Sequence, residues 1–304
     1  MSNQFSGWVI RLTLATALLS GLRAPAAGQS PRGPVSPPME PYGQLAGCSE
    51  EPAQFHRCAL AKARGFDPPR TPDRKPDFRG YWSRGVARGT DDIEEHAKGL
   101  GDSGGTSQVV DPADGKIPYQ PWAIAKRRDH VANYNDPAVL CVQPGVPRQA
   151  YTAGVNQILQ TADSLIFLND YAHSYRVISL DGRPHLGRDI RLFMGNSRGR
   201  WEGNTLVVDV TNQIGKTWFD HMGNFFSDAV HVVERWTMFD ANAIHYQATI
   251  DDPKVYTRPW TLVSGMRRNT DAHYEIWENA CHEGSTHLSR TEIGLKQYFG
   301  VTPP

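Results

Sequence analysis

The chain lacks a net charge, and after its first residues it lacks long hydrophobic runs. The whole chain holds 32 basic and 32 acidic residues, and because residues 1–27 contain two arginines and no acid, the remainder carries 30 basic and 32 acidic residues. A near-neutral chain has no electrostatic footprint for nucleic acid or an anionic membrane surface. A membrane-spanning helix needs roughly 20 apolar residues, and no segment beyond the N-terminus supplies them.

Binding and catalytic motifs with fixed spacing are missing too. The glycine-rich stretch "GLGDSGGTS" at 99–107 does not have the GxxxxGK[ST] spacing of a phosphate loop. No CxxC pair or His-x-Glu-x-x-His signature occurs, so we predict no cofactor; a divalent metal is the alternative, because the chain has 11 histidines. "GNSRG" at 195–199 matches GxSxG, but strands are predicted on both sides of it, whereas a serine nucleophile elbow needs a strand-to-helix turn.

The N-terminus has the pattern of an export signal. In "SGWVIRLTLATALLSGLRAPAAG" a short apolar core, Leu12 to Leu22, lies between arginines and precedes the small residues Ala24-Pro25-Ala26. This core is too short to span a bilayer, and the small residues suit a signal peptidase. We predict a signal peptide over 1–27 and a periplasmic or secreted protein; a membrane anchor is the alternative.

The four cysteines, Cys48, Cys58, Cys141 and Cys281, predict disulfide bonds. An even number in an exported chain indicates two disulfides, with three connectivities open. The short distance between Cys48 and Cys58 favours a local link. Cys141 and Cys281 would then tie the start of the β region to its end.

Three regions are predicted along the chain. Residues 1–27 form the signal peptide, 28–76 a proline-rich linker with a short helix near 50–64 that Ser49 caps, and 77–304 a single β-rich domain. A second helix is predicted over 121–133. Nine runs of β-favouring residues follow position 147: 155–161, 165–170, 175–180, 189–194, 205–211, 230–239, 244–250, 260–266 and 273–280.

The fold class follows from these runs and from the turns between them. Turn-forming residues separate the runs in "TADS", "LDGR", "WEGN", "FDANA" and "RRNTD". We predict a mainly β fold, an antiparallel meander that closes into a lipocalin- or calycin-like barrel, with an irregular, partly helical N-terminal region. The β region has no helices long enough for βαβ crossovers, which excludes a Rossmann-type sheet.

One hairpin, "VHVVERWTMFDANAIHYQATI", places a charge in the predicted interior. An odd register pairs Glu234 with Ala248 and Trp236 with Tyr246, and this gathers the large apolar residues on one face. Glu234 then points inward, and alternation in the last predicted strand turns Glu278 inward as well. A buried carboxylate must be paired, neutralised or solvated. The two carboxylates are therefore either part of a ligand cavity or structural acids, with Arg200 and Arg258 as partners.

Four blocks carry a resemblance: "GRWEGNTLVVDVTN", "HVVERW", "HYQATIDDPKVYTRPW" and "ENACHE". Together they resemble a large group of secreted, mostly uncharacterised bacterial proteins, from "PDFRGYW" to the C-terminus and including "CVQPGVPR" and "SLDGR". The resemblance implies export and a shared fold but no reaction. His221 and His282 stand where members of the group often carry other residues, which argues against a metal site on either. The motif positions are Arg200, Trp201, Glu202, His231, Glu234, Arg235, Thr249, Asp252, Trp260, Glu278, Cys281 and Glu283.

Two functions are compatible with this sequence. The first is an acid–base enzyme, a lyase, isomerase or hydrolase, that acts on a carbohydrate or phenolic compound in the barrel cavity, under a lid formed by the loop 217–228. The second is a non-catalytic small-molecule-binding protein. In the enzyme, Glu234→Gln would abolish turnover with little change in melting temperature, and His231 would need a bulge to reach the same face. The predicted catalytic residues are Glu234, His231, Tyr246 and Glu278, and the predicted substrate-binding residues are Arg258, Arg200, Trp236, Trp260, Asp220 and Asn224.

Overall fold

A computed structural model describes residues 44–85, 92–97, 104–152, 154–279 and 281. The predicted signal peptide, the proline-rich stretch 31–41, most of the glycine-rich stretch 99–107, and His282 and Glu283 lie outside these residues. In the described part of the chain, none of the helices has the length and apolar composition needed to cross a membrane.

Two α-helices flank the sheet, α1 at Pro52–Ala63 and α2 at Pro121–Asn133. The bounds of α2 match the prediction from sequence. The cap of α1 does not, because the Glu51 carboxylate accepts the Ala53 and Gln54 N–H groups at 3.2 and 2.7 Å. Ser49 supports this cap from outside, since its hydroxyl accepts the Glu51 N–H at 3.2 Å. Short 3-10 turns occupy Pro137–Leu140, Arg148–Ala150 and Tyr171–His173.

The strands cover most of the predicted β-favouring runs. They are β1 Gln44–Leu45, β2 Cys48–Ser49, β3 Gly80–Arg84, β4 Val109–Asp111, β5 Val155–Gln160, β6 Ser164–Asn169, β7 Tyr175–Ser179, β8 Asn196–Glu202, β9 Thr205–Thr211, β10 His231–Asp240, β11 Ala243–Asp251 and β12 Trp260–Arg268.

Nine of these strands close into a barrel, as predicted. The order is β11-β10-β9-β8-β7-β6-β5-β3-β12, and β12 pairs back onto β11 along its length. Strand β4 adds to β12, and β1 pairs with β2 in a separate small hairpin. One pair departs from an antiparallel meander: β7 and β8 run parallel and meet only through Ile178–Ser197 and Ser179–Arg198.

The parallel pair explains why the strand predicted at 189–194 is wrong. Two parallel neighbours need a crossover connection between them, and residues 180–195 supply it. Within that connection only Leu192 makes a bridge, to Gln213. The strand predicted at 273–280 is also wrong over its described residues, which are irregular, and Glu278 is exposed there. The prediction missed β8, where Gly199 allows close approach because a Cβ would lie 2.7 Å from Ile178.

The β10–β11 hairpin has the predicted register. Glu234 pairs with Ala248, and Trp236 pairs with Tyr246. The turn itself is tight, because Asp240 pairs with Ala243, and a bulge between Met238 and Asp240 produces the odd register. The extra residue of the bulge, Phe239, packs edge-on against Phe55 of α1 at 5.7 Å.

Both predicted disulfides are present. Cys48 bonds to Cys58, and Cys141 bonds to Cys281 across 140 residues of sequence. No other cysteine occurs in the chain. The long link holds the chain beyond β12 against the 3-10 turn that ends at Leu140.

Candidate functional site

Glu234 is fully buried inside the barrel and fully bonded. Its carboxylate oxygens accept both terminal nitrogens of Arg176, one of them at 3.0 Å, and the Tyr246 hydroxyl at 2.8 Å. The remaining nitrogen of Arg176, Nε, donates to the Ser197 hydroxyl at 2.8 Å. Burial and then the Glu234 charge raise the pKa of Tyr246 well above its usual range, so the phenol stays protonated as a donor. We call this a closed ion pair, because both oxygens of the Glu234 carboxylate already have partners.

This ion pair has a different arginine from the two predicted. Arg200 bonds to Glu202 on the outer surface at 2.7 Å, and Arg258 bonds to Asp111 at 3.0 Å, also exposed. Alternation in β8 turns Arg200 to the outer face, away from Glu234. Arg258 precedes β12 and is held by Asp111 instead. Arg176 faces inward because its neighbours in β7, Tyr175 and Val177, are exposed.

Two predicted catalytic residues lie away from Glu234. Strand β10 pairs without a bulge from His231 to Met238, so alternation leaves His231 on the outer face. There its Nε2 bonds to Asp209 at 2.9 Å, and this bond raises the pKa of His231. Glu278 is exposed beyond the last strand. Of the predicted catalytic set, the structure therefore brings together only Glu234 and Tyr246.

The predicted binding residues separate into different places. Trp236 lies beside the ion pair, with ring centroids 4.4 Å from Tyr246 and 5.2 Å from Phe167. Trp260 is buried elsewhere in the core, 5.5 Å from Phe219. Asp220 and Asn224 are fully buried in the loop that was predicted to be a lid. That loop also contributes Trp218, Phe219 and Phe226 to the core, so it is a packed part of the fold.

Asp220 and Asn224 belong to a buried polar network. The Asp220 carboxylate accepts the Ile93, Met222 and Asn224 backbone N–H groups at 3.0 to 3.2 Å. The Asn224 amide also bridges Asp220 and Asp92, at 2.5 and 3.1 Å. Burial and the Asp92 charge raise the pKa of Asp220 to about 7, while the donated hydrogen bonds limit the rise.

Helix α2 is tied to this network by Arg127. Its guanidinium bonds to Asp92 at 3.2 Å and to Glu94 at 2.7 Å, and its Nε donates to the Met222 carbonyl at 3.1 Å. These contacts join α2, residues 92–97 and the loop between β9 and β10. The position of α2 is therefore fixed by charge as well as by packing.

A second buried arginine orients a histidine. Arg148 bonds to both oxygens of Asp136 at 2.8 and 2.6 Å, and His221 Nδ1 lies 2.5 Å from the same carboxylate. Burial opposes ionisation of Asp136, but the Arg148 charge and the bonds from His221 and Arg148 prevail and lower its pKa to about 2. Because an ionised carboxylate only accepts, His221 Nδ1 carries a proton and donates to Asp136.

The other side of α2 lines a cavity of 350 Å³. Trp122, Lys126 and His130 are spaced four residues apart and so lie on one helix face. The loop between β9 and β10 forms the opposite wall, where Gly215 has a φ of +66° and a Cβ would meet the Asp228 nitrogen at 2.5 Å. The lining includes four aromatic side chains, two lysines and one histidine, namely Trp122, Tyr134, Phe225, Phe226, Lys126, Lys216 and His130.

His130 is the titratable group best placed for chemistry in this cavity. Its ring stacks on Trp218 at 4.8 Å and meets Phe225 edge-on at 4.9 Å. Burial lowers its pKa, so the ring is neutral near pH 7. Nδ1 lies 3.3 Å from the Gly223 carbonyl, which can only accept, so Nδ1 carries the proton and Nε2 is the basic nitrogen. Nε2 has no hydrogen-bond partner within the described part of the chain.

The cavity is cationic and contains no acid of its own among its described lining residues. Lys126 bonds to Asp129 at 2.9 Å and lies 5.3 Å from the centre of the Tyr134 ring. Lys216 is exposed at the rim. The two lysines are therefore the charged side chains of the lining, and Lys126 already has Asp129 as its partner.

The sequence predicted α2 but not this site. The four-residue spacing of Trp122, Lys126 and His130 was a usable signal, because it sets an aromatic, a cation and an imidazole on one helix face. The opposing wall comes from a loop about 90 residues later in the sequence, and no local pattern predicts that contact.

Comparison with known proteins gives no match: no family model, no curated protein and no solved structure is similar to this chain. The resemblance of its sequence blocks to secreted bacterial proteins therefore stays a prediction. Within the described residues, no group of three or more His, Cys, Asp or Glu side chains has the arrangement of a metal site.

Proposed function

We propose that this exported protein binds a small phenolic or other aromatic acid in the α2 cavity and acts on it by acid–base chemistry. The observation that carries this proposal is that one cavity contains a neutral, oriented His130, two lysines and four aromatic side chains. A cavity with a few convergent polar groups and a perturbed titratable residue is the usual form of a small-molecule site.

The class of ligand follows from the lining. Aromatic walls favour a flat ring, because offset and edge-on ring contacts contribute about 0.5–1.5 kcal/mol beyond the area they bury. Lys126 and Lys216 favour a carboxylate on that ring. A carbohydrate also stacks on aromatic side chains, but a neutral sugar carries no charge that would complement the two lysines. A hydroxybenzoate or hydroxycinnamate uses both features.

His130 supplies the proton-transfer group. Its basic Nε2 can accept the proton of a phenolic hydroxyl while Nδ1 keeps its bond to the Gly223 carbonyl. The imidazolium that forms would be stabilised by the face of Trp218, against which the ring is stacked. The electron density left on the ring is what a lyase or isomerase step requires, and the lysines would stabilise the anion.

A non-catalytic binding protein is the second candidate, and one observation favours it. The described lining residues contain a base but no carboxylic acid, and the Ser227 hydroxyl in the same wall is bonded to Asp252 at 2.9 Å. A site with one proton-transfer group and no second group can hold a ligand without turning it over. The two candidates share the ligand class and differ in the consequence of removing His130.

Trp122 fluorescence tests the ligand class, because this side chain lines the cavity and is 51 % exposed. Titration with 4-hydroxybenzoate, phenol and glucuronate should quench it, with 4-hydroxybenzoate binding most tightly. Lys126→Met should weaken the binding of 4-hydroxybenzoate but leave that of phenol unchanged. Arg128→Gln is the matched control, because Arg128 is exposed on α2 and does not line the cavity.

Turnover distinguishes the two candidates. In a screen of hydroxybenzoates and hydroxycinnamates, His130→Asn should lower kcat by about 10²–10⁴-fold and change Kd little, if His130 is the base. The acidic limb of kcat/KM should lie below pH 6.5, because the pKa of His130 is lowered from that value. Binding without turnover would support the binding protein. No binding of any aromatic acid would contradict both candidates.

A further inference from the structure

A different cavity, of 340 Å³, lies on the outer wall of the barrel at the C-terminal end of α1. Strands β9, β10 and β11 form its floor, and α1 forms one side. Its lining is mostly polar, in contrast to the aromatic cavity at α2. The side chains that matter here are Arg64, Asn204, Arg235, His245 and Gln247.

Three hydrogen-bonding groups of this cavity are unused among the described residues. The exposed Arg64 guanidinium has no ion pair, and the half-buried Gln247 amide has no hydrogen bond. His245 is 1 % exposed; its Nε2 lies 3.0 Å from His56 Nδ1, and its own Nδ1 is buried without a partner. A buried polar atom without a partner costs free energy, and this cost applies to His245 Nδ1. Arg64 and Gln247 reach solvent and are available to donate to a polar occupant.

The charge around the cavity is positive. Arg235 and Arg200 share a single carboxylate, that of Glu202, at 2.9 and 2.7 Å. Arg64 adds an uncompensated charge beside them. Four guanidinium groups therefore stand near two carboxylates, because Arg70 bonds to Asp67 at 2.6 Å next to the same wall.

The amides present donors as well. Arg70 donates to Asn204 Oδ1 at 3.1 Å, so the NH₂ group of Asn204 is left to donate elsewhere. One feature opposes an anion: the C-terminal end of a helix carries roughly half a negative charge. Two of the carbonyls at the end of α1 are already satisfied, since the Lys62 carbonyl accepts the Gly65 N–H at 3.1 Å and the Ala63 carbonyl accepts the Phe66 N–H at 3.4 Å. The arginine excess outweighs this half charge.

We propose that the cavity at the end of α1 is a binding site for a small oxyanion, a phosphate or sulfate group, held by Arg64 and Arg235 with Asn204 and Gln247. Guanidinium groups match the geometry of such an anion and bind it with two parallel hydrogen bonds. The amides complete the donor set. The site shares no residue with the α2 cavity, so a test of this site does not depend on the proposed function.

Calorimetric titration of the full chain with sodium phosphate and sodium sulfate tests the site, with sodium chloride holding the ionic strength constant. Acetate and chloride serve as anions of lower charge. Phosphate and sulfate should bind at millimolar concentration or tighter, and acetate should bind more weakly. If phosphate binds and sulfate does not, the occupant is a phosphate group; the reverse result assigns a sulfate group.

Two variants and one control locate the binding. Arg64→Gln should weaken Kd roughly tenfold, as expected for loss of one charge-assisted contact. Gln247→Glu should abolish binding because it adds a negative charge to the cavity. Arg128→Gln removes an exposed arginine on α2 and should leave Kd unchanged. Thermal melts without added anion check that each variant is folded. Equal Kd values in all four proteins, or no heat from either oxyanion, would overturn the proposal.

Discussion

Replacing Glu234 by glutamine tests the barrel interior most directly. The carboxylate accepts two bonds from Arg176 and one from the Tyr246 hydroxyl. Glutamine keeps one acceptor oxygen and turns an NH₂ group toward a partner that can only donate. The change therefore removes a hydrogen bond, sets donor against donor and leaves the Arg176 charge unpaired in the interior.

The expected loss of stability is large. Removing one member of a buried ion pair costs about 3–5 kcal/mol. In a domain of this size, each kcal/mol shifts the melting temperature by about 2–4 °C. Glu234→Gln should therefore melt roughly 6–20 °C below wild type. The sequence alone favoured a stable but inactive variant, and the closed geometry of the pair reverses that expectation.

Differential scanning calorimetry and urea unfolding measure the effect. Glu202→Gln is the matched control, because Glu202 is an exposed carboxylate that also bonds to arginine on the barrel wall; it should hardly change the melting temperature. A triple variant, Arg176→Met with Glu234→Leu and Tyr246→Phe, removes both charges and the phenol hydroxyl, leaves only the Ser197 hydroxyl, and should recover much of the lost stability. If Glu234→Gln melts within about 2 °C of wild type, the ion pair is not a structural necessity.

Three further predictions concern pH, the long disulfide and the α2 contact. The pKa of Asp220 is raised to about 7, so its contribution to the free energy of unfolding is full below about pH 4 and is lost as pH rises through 7. Urea unfolding from pH 5 to 8 should show this fall in stability. Asp92→Asn should move the midpoint of the fall to lower pH. Replacing Cys141 and Cys281 by serine should lower the free energy of unfolding by about 2–5 kcal/mol, whereas an unchanged urea midpoint would mean that the link adds nothing. Gly223→Ala should destabilise the protein by at least about 1 kcal/mol, since Gly223 has a φ of +73° and a Cβ would lie 3.0 Å from the His130 Cβ; thermal melts check this.

The parts of the fold that were predictable are those set by local pattern. Alternation and the gathering of Trp236 and Tyr246 on one face sufficed to set the β10–β11 register and the inward direction of Glu234. The bulge at Phe239 was not predictable, because it depends on Phe55 of α1, which lies far away in sequence. The same holds for the parallel β7–β8 pair, whose short ladder gives no local signal.

The partner of Glu234 shows why the site was harder to predict than the fold. In "YRVIS" the alternation offers two faces, Tyr175 with Val177 or Arg176 with Ile178. The more apolar choice buries tyrosine and valine and exposes the arginine. In the structure Tyr175 is 63 % exposed and Arg176 is buried. Arg176 is buried because its hydrogen-bond partners, Glu234 and Ser197, lie inside the barrel. The burial of Arg176 therefore depends on which strands are neighbours in the fold, and the local sequence does not specify this.

The closed ion pair also decides where function can lie. Arg176 and Tyr246 occupy the oxygens of the Glu234 carboxylate, so Glu234 cannot exchange a proton with a ligand unless the barrel core opens. Opening the core would break the buried ion pair, which costs free energy. His130 has the opposite arrangement, since Nδ1 bonds to the Gly223 carbonyl, the ring lines a cavity, and Nε2 has no hydrogen-bond partner among the described residues. A proton-transfer group needs one hydrogen bond that orients its ring and a second nitrogen that stays available to the ligand. The chemistry that we propose is therefore assigned to the cavity between α2 and the loop that joins β9 to β10, and not to the interior of the barrel.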